Sequence, residues 1–109
     1  MANIDIDSII EDIEGGVGSF AENLVPGFVS EAEKDAGDFL KQIKTDLGRW
    51  SSELVSGQIT EDDFSNLVHG DDDLLKMVAL TKAGIDEAKI DAFKAGLFTI
   101  IEKVVSALI

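Results

Sequence analysis

The chain has 109 residues and no cysteine, so it fits one domain, and disulfides, Cys-based zinc sites and thiol nucleophiles are excluded. A chain of this length can bury one modest core without such staples. Its formal net charge is −13, from 22 acidic and 9 basic side chains. Binding to phosphate backbones or anionic lipid relies on clustered Lys and Arg. No such cluster stands in the sequence, so direct nucleic-acid binding is not expected and electrostatic membrane docking is disfavoured.

The charge is uneven. Residues 1–33 hold eight acidic side chains and no basic one, and residues 56–75 hold six acidic and none basic. Residues 34–55 balance at four and four, and residues 76–109 carry five basic against four acidic. The plain reading is a well-solvated surface. The sharper one is an acidic face offered to a basic protein.

Met1 to Ser8 contains Asp5 and Asp7 and no cation, unlike an export signal. The most apolar stretch, Leu97–Ile109, has 13 residues and includes Glu102 and Lys103. A membrane span needs roughly 20 apolar residues. The expectation is a cytoplasmic protein without a transmembrane helix.

The first segment, Ser8 to Val25, places Ile6, Ile10, Ile13, Val17, Phe20 and Leu24 at helical spacing. Ser8 and Glu11 suit a capping box. Gly15, Gly16 and Gly18 interrupt this helix, each costing roughly 1 kcal/mol relative to alanine. They favour a weak or hinged helix over a close approach by another backbone. Residues 1–27 are left open between a stable helix and a flexible or loosely attached arm.

Pro26 and Gly27 punctuate the chain. The next stripe is Val29, Ala32, Ala36, Phe39, Leu40, Ile43, Leu47, Trp50 and Leu54. It predicts a long helix over 31–56, about 39 Å at 1.5 Å per residue, with Ser30 and Glu33 as its capping box and Gly57 as its stop.

Thr60 before Glu61, Asp62 and Asp63 reads as a cap with a dipole-matched first turn. A short helix bearing Phe64, Leu67 and Val68 should end near His69 and Gly70. Asp71, Asp72 and Asp73 should open another, bearing Leu74, Leu75, Val78 and Ala79 and ending near Gly84. Asp86 should cap a last helix over 87–108, with Ile85 and Ile90 as its staple.

That last helix has a broad apolar face of Ile90, Phe93, Leu97, Ile100, Ile101, Val104 and Leu108. Ala88, Ala92, Ala95, Gly96, Thr99 and Ser106 form a small-residue side, and Phe98, Val105 and Ile109 add apolar surface elsewhere. A helix apolar around most of its circumference must be covered on more than one side. It is expected at the centre of the packing or at a subunit interface.

No motif carries chemistry. From Asp71, the sixth position of a calcium loop would be Lys76 rather than glycine, so the triplet reads as a cap. His69 is the single histidine and suits a helix C-terminus better than a metal or catalytic role. Gly15-Gly16-Val17-Gly18 follows no strand and precedes no Lys-Ser/Thr, so no phosphate loop forms. No serine stands in a nucleophile setting, and the carboxylates lie mostly on wet faces. No catalytic residue, cofactor or metal is expected.

The fold expected is all-α. It is a small bundle of four to five helices, in which the long helix (31–56) packs with a largely buried C-terminal helix (87–108). The expected core is Phe39, Leu40, Ile43, Leu47, Leu54, Phe64, Leu67, Leu75, Val78, Phe93, Leu97, Ile100, Ile101 and Val104. The leading functional expectation is a non-enzymatic interaction module that self-associates or binds a protein partner. Trp50, Phe98, Val105 and Ile109 are its candidate interface residues. The alternatives are a membrane- or lipid-active amphipathic protein and an acidic decoy of a basic protein.

Overall fold

The longest apolar stripe in the sequence becomes the longest helix. In the computed structural model, which describes residues 5–109, this helix (α2) spans Val29–Val55. Ala32, Ala36, Phe39, Leu40, Ile43, Leu47, Trp50 and Leu54 are buried along one side, as their spacing predicts. Phe28 holds the N-cap position with no side-chain hydrogen bond. Ser30 lies inside the helix, so the Ser30–Glu33 capping box does not form. Gly57 closes the helix at φ 82°, a left-handed geometry that glycine adopts without penalty.

The first helix, α1, spans Ile6–Leu24 and runs unbroken through Gly15, Gly16 and Gly18. This corrects the expectation of a break at the glycines. Its buried face is Ile9, Ile13, Val17 and Ala21, while Ile6, Ile10, Phe20 and Leu24 flank it at partial burial. Apolar burial of this kind is worth about 1.5–3 kcal/mol per large side chain, more than each glycine costs. Asp5, rather than Ser8, is the cap. Its carboxylate accepts from the backbone N–H groups of Asp7 at 3.1 Å and Ser8 at 3.3 Å.

The helix α3 spans Glu61–Gly70 and buries Phe64 and Val68. Thr60 and Asp63 form its capping box. The Asp63 N–H donates to Thr60 Oγ1 at 3.1 Å, and the Thr60 N–H donates to Asp63 Oδ2 at 3.0 Å. Leu67 is exposed, so it leaves the expected core.

The aspartate triplet does not open an α-helix. Asp72–Leu74 forms one 3-10 turn, Leu75 to Met77 is irregular, and α4 covers only Val78–Lys82. The cap of α4 comes from far away in sequence. Asp35 on α2 accepts from the Ala79 and Leu80 backbone N–H groups, both at 2.9 Å. Two of the donors that every helix start leaves free are thereby satisfied. Asp35 is 2% exposed, a buried carboxylate answered by backbone rather than by a cation. Val78, the first residue of α4, is 52% exposed and also leaves the expected core.

The last helix, α5, spans Glu87–Ser106, and Asp86 caps it by accepting from the Lys89 N–H at 2.9 Å. Phe93, Leu97, Phe98, Ile101 and Val105 are buried, while Ile100 and Val104 are half-buried. Ala88, Ala92, Ala95 and Thr99 face solvent. The small-residue side is therefore largely wet, and the central position belongs to another helix. That helix is α2, which packs against α1, α3 and α4. Helix α5 packs against α1 and α3 and meets α2 across the core, where the Phe39 and Phe98 rings lie edge to face at 5.8 Å.

The result is an all-α bundle of five helices with no strand among the described residues. One hydrophobic cluster takes residues from α1 through α5.

Candidate functional site

The four residues expected at an interface separate in the structure. Trp50, Phe98 and Val105 are buried in the chain's own core, and Ile109 is exposed. Phe98 is covered twice over, by Phe39 and by the His69 ring, whose centroid lies 4.5 Å away. The first three are thus taken up by folding and offer no surface for docking. His69 lies in the last turn of α3, where its Nε2 is 4.0 Å from Glu102 Oε1.

Among the described residues, a trough of about 730 Å³ between α4 and α5 has the shape of a binding site. Its origin is the packing. Helix α4 rests on α2, and α5 rests on α1 and α3, so neither fills the space between them. Leu75, Met77, Val78, Ile85 and Ile90 supply the apolar lining, and Lys76, Lys82, Glu87, Asp91 and Lys94 supply the charges. Trough volumes of roughly 300–1,000 Å³ are usual for sites that take a ligand or an anchor side chain.

The charges are divided between the two sides. From Leu74 to Ile85 the chain has two lysines, Lys76 and Lys82, and no acid. Along α5 stand Glu87 and Asp91, one turn apart. Lys94 is partly engaged already, with its ammonium 3.7 Å from Asp72. A smaller hollow of about 370 Å³ between α1 and α2 is lined mainly by charged groups, among them Glu14, Glu33, Lys34, Asp38 and Lys41. At its edge Lys44 pairs with Asp7 at 2.7 Å, tying the two helices together.

Two carboxyl groups near helix ends are perturbed in opposite directions. Hydrogen bonds from Thr60, the backbone N–H first and the side chain second, hold Asp63 below the usual carboxylate range. Asp71 is pushed up by burial and then by the negative charge of Asp46. Its Oδ2 is buried without a hydrogen-bond partner among the described residues. Neither group lines the trough. Among the described residues, no group of three or more His, Asp or Glu side chains is placed to hold a metal ion, and no helix is long and apolar enough to cross a membrane.

Sequence reasoning overlooked the trough because it treated residues 71–84 as one continuous helix. A usable signal was present. The run Leu74 to Ile85 is cationic and acid-free in a chain of net charge −13, and it is rich in apolar residues.

No protein-family model, no curated protein and no solved structure matches the chain.

Proposed function

We propose that the chain is a non-enzymatic interaction module that binds a protein partner through the trough between α4 and α5. The observation that carries this reading is the trough itself, an open apolar hollow of about 730 Å³ flanked by charges of both signs. Interfaces are built in this way, with an apolar centre and a polar rim. The exposed Val78 at its edge supplies apolar surface that folding leaves uncovered.

Self-association draws less support. Its motive was an apolar surplus on α5, and Phe98 and Val105 find cover within the chain. A membrane-active role would need the apolar faces of α1 and α5, which are largely buried.

Site-specific photo-crosslinking in the cells of origin tests the proposal. A photoreactive residue at Val78 or Lys82 should give a crosslinked adduct of one defined mass, and one at exposed Glu22 should not. Absence of an adduct at both trough positions, together with a monomer by light scattering, would remove the interaction reading.

A further inference from the structure

The trough also limits what its occupant can be, and this inference rests on the protein-binding reading above. We propose that it receives one amphipathic helix of a partner protein, acidic along one edge of its apolar stripe and basic along the other.

Three observations lead there. The first is the open side of the trough. Its apolar lining of Leu75, Met77, Val78, Ile85 and Ile90 covers only one face of whatever lies in it. An alkyl chain would leave its remaining surface in water, whereas an amphipathic helix turns a polar face outward. The second is length. The α5 side runs from Glu87 to Lys94, about 11 Å at 1.5 Å per residue. That spans two turns of a helix, enough for apolar anchors at i, i+3, i+4 and i+7.

The third is charge complementarity. Lys76 and Lys82 stand on the α4 side, and among the described residues neither has a carboxylate within salt-bridge distance. Glu87 and Asp91 stand on the α5 side and are likewise unpaired among the described residues, while Lys94 on the same side is drawn to Asp72 at 3.7 Å. A helix with one acidic and one basic edge matches both sides at once. A uniformly charged helix meets like charge on one of them.

A second copy of the folded chain does not offer such a helix. Among the described residues its exposed large apolar side chains are Leu67, Leu74, Val78, Leu108 and Ile109, and of these only Leu67 lies within a helix of more than five residues.

The test uses the full chain and three synthetic helical peptides with one shared leucine stripe. One has glutamate on one edge and lysine on the other, one has glutamate on both, and one has lysine on both. Binding is followed by fluorescence anisotropy and by amide chemical shifts. The mixed peptide should bind tightest and shift Val78, Ile85 and Ile90. The double variant Glu87→Lys/Asp91→Lys should turn the preference toward the all-glutamate peptide, by about three- to tenfold for two exposed ion pairs. Lys76→Glu/Lys82→Glu should turn it toward the all-lysine peptide. Circular dichroism confirms that each variant keeps its helices.

Preference of the unaltered chain for a uniformly charged peptide overturns the inference and leaves the protein-binding reading standing. So does binding with shifts elsewhere on the surface. If sodium laurate moves the trough resonances and none of the peptides does, the occupant is a lipid and the inference fails. If dilution of the chain alone moves them, the occupant is a second copy and it fails equally. Failure of the crosslinking test would remove the underlying reading separately.

Discussion

Helix α5 meets α1 on one side and α4 on another, and the two sides differ. Against α1 the contact is closed. The Phe20 ring lies over Gly96, where an added Cβ would overlap its edge, and it stacks on Phe93 at 5.9 Å. A few residues further on, Ile100 Cγ2 reaches to 3.0 Å from the place of a Cβ on Gly16. Against α4 the space stays open and becomes the trough. The difference lies in the neighbours. The α1 stripe can be laid along α5, and glycines remove the side chains that would hold the two apart. Helix α4 has five residues and is fastened to α2 through Asp35, so it cannot also cover α5.

The largest effect should come from cutting that fastening. Asp35→Ala leaves two backbone N–H groups of α4 without their acceptor and should cost about 3 kcal/mol in urea unfolding. Asp35→Asn keeps one acceptor oxygen and should cost less. A loss under about 1 kcal/mol for the alanine variant would mean that α4 is held by its apolar contacts instead.

On the closed side, Gly96→Ala forces the Phe20 ring to move. Overpacking costs about 1–3 kcal/mol and the gain in helix propensity returns roughly 1, so a net loss of about 1 to 2 kcal/mol is expected. Gly15 provides the control on α1, because a Cβ there meets nothing within 4 Å. Gly15→Ala should stabilise by about 0.5–1 kcal/mol. Equal effects at Gly15 and Gly96 would contradict a closed seam.

The smallest effect concerns Asp71, which precedes the turn that carries Asp72 toward Lys94. Its folded-state pKa is raised above 3.8, so its ionised form opposes folding at neutral pH. Asp71→Asn should stabilise there by no more than about 0.5 kcal/mol, given its partial exposure. The gain should shrink as the pH falls through the raised pKa and vanish below 3.8, where the wild-type group is protonated folded or unfolded. Asp63 has the opposite sign. Its lowered pKa contributes stability above 3.8 that is lost as the pH falls through its folded-state value, so Asp63→Asn should be harmful at neutral pH and neutral in acid.

Much of the architecture was legible because helical spacing is a local property. The α2 stripe, the caps at Thr60 and Asp86, and the stop at Gly57 all follow from residues a few positions apart. Failures came where distant residues decide. The triplet at 71–73 looks like a cap, yet the α4 start is satisfied by Asp35, more than forty residues upstream. That carboxylate did leave a trace. It interrupts the stripe between Ala32 and Phe39, a position where a charge needs a partner. On α1 the glycines argued for weakness because their cost is local while the contacts with α2 and α5 are not. The small side of α5 suggested a close neighbour all along it; Gly96 has one, whereas Ala88, Ala92, Ala95 and Thr99 are exposed. The trough was hidden for the same reason, being a space between helices rather than a run of residues.

Asp35 has one more effect, on motion. Five residues are too few to hold a helix in water unaided. The Ala79 and Leu80 amides nevertheless end on a carboxylate embedded in the longest helix. Their hydrogens should therefore exchange with solvent on the slow schedule of the core, while Lys82, in the last turn of the same helix, exchanges quickly. One side of the trough would then behave as a rigid jaw anchored at its inner end.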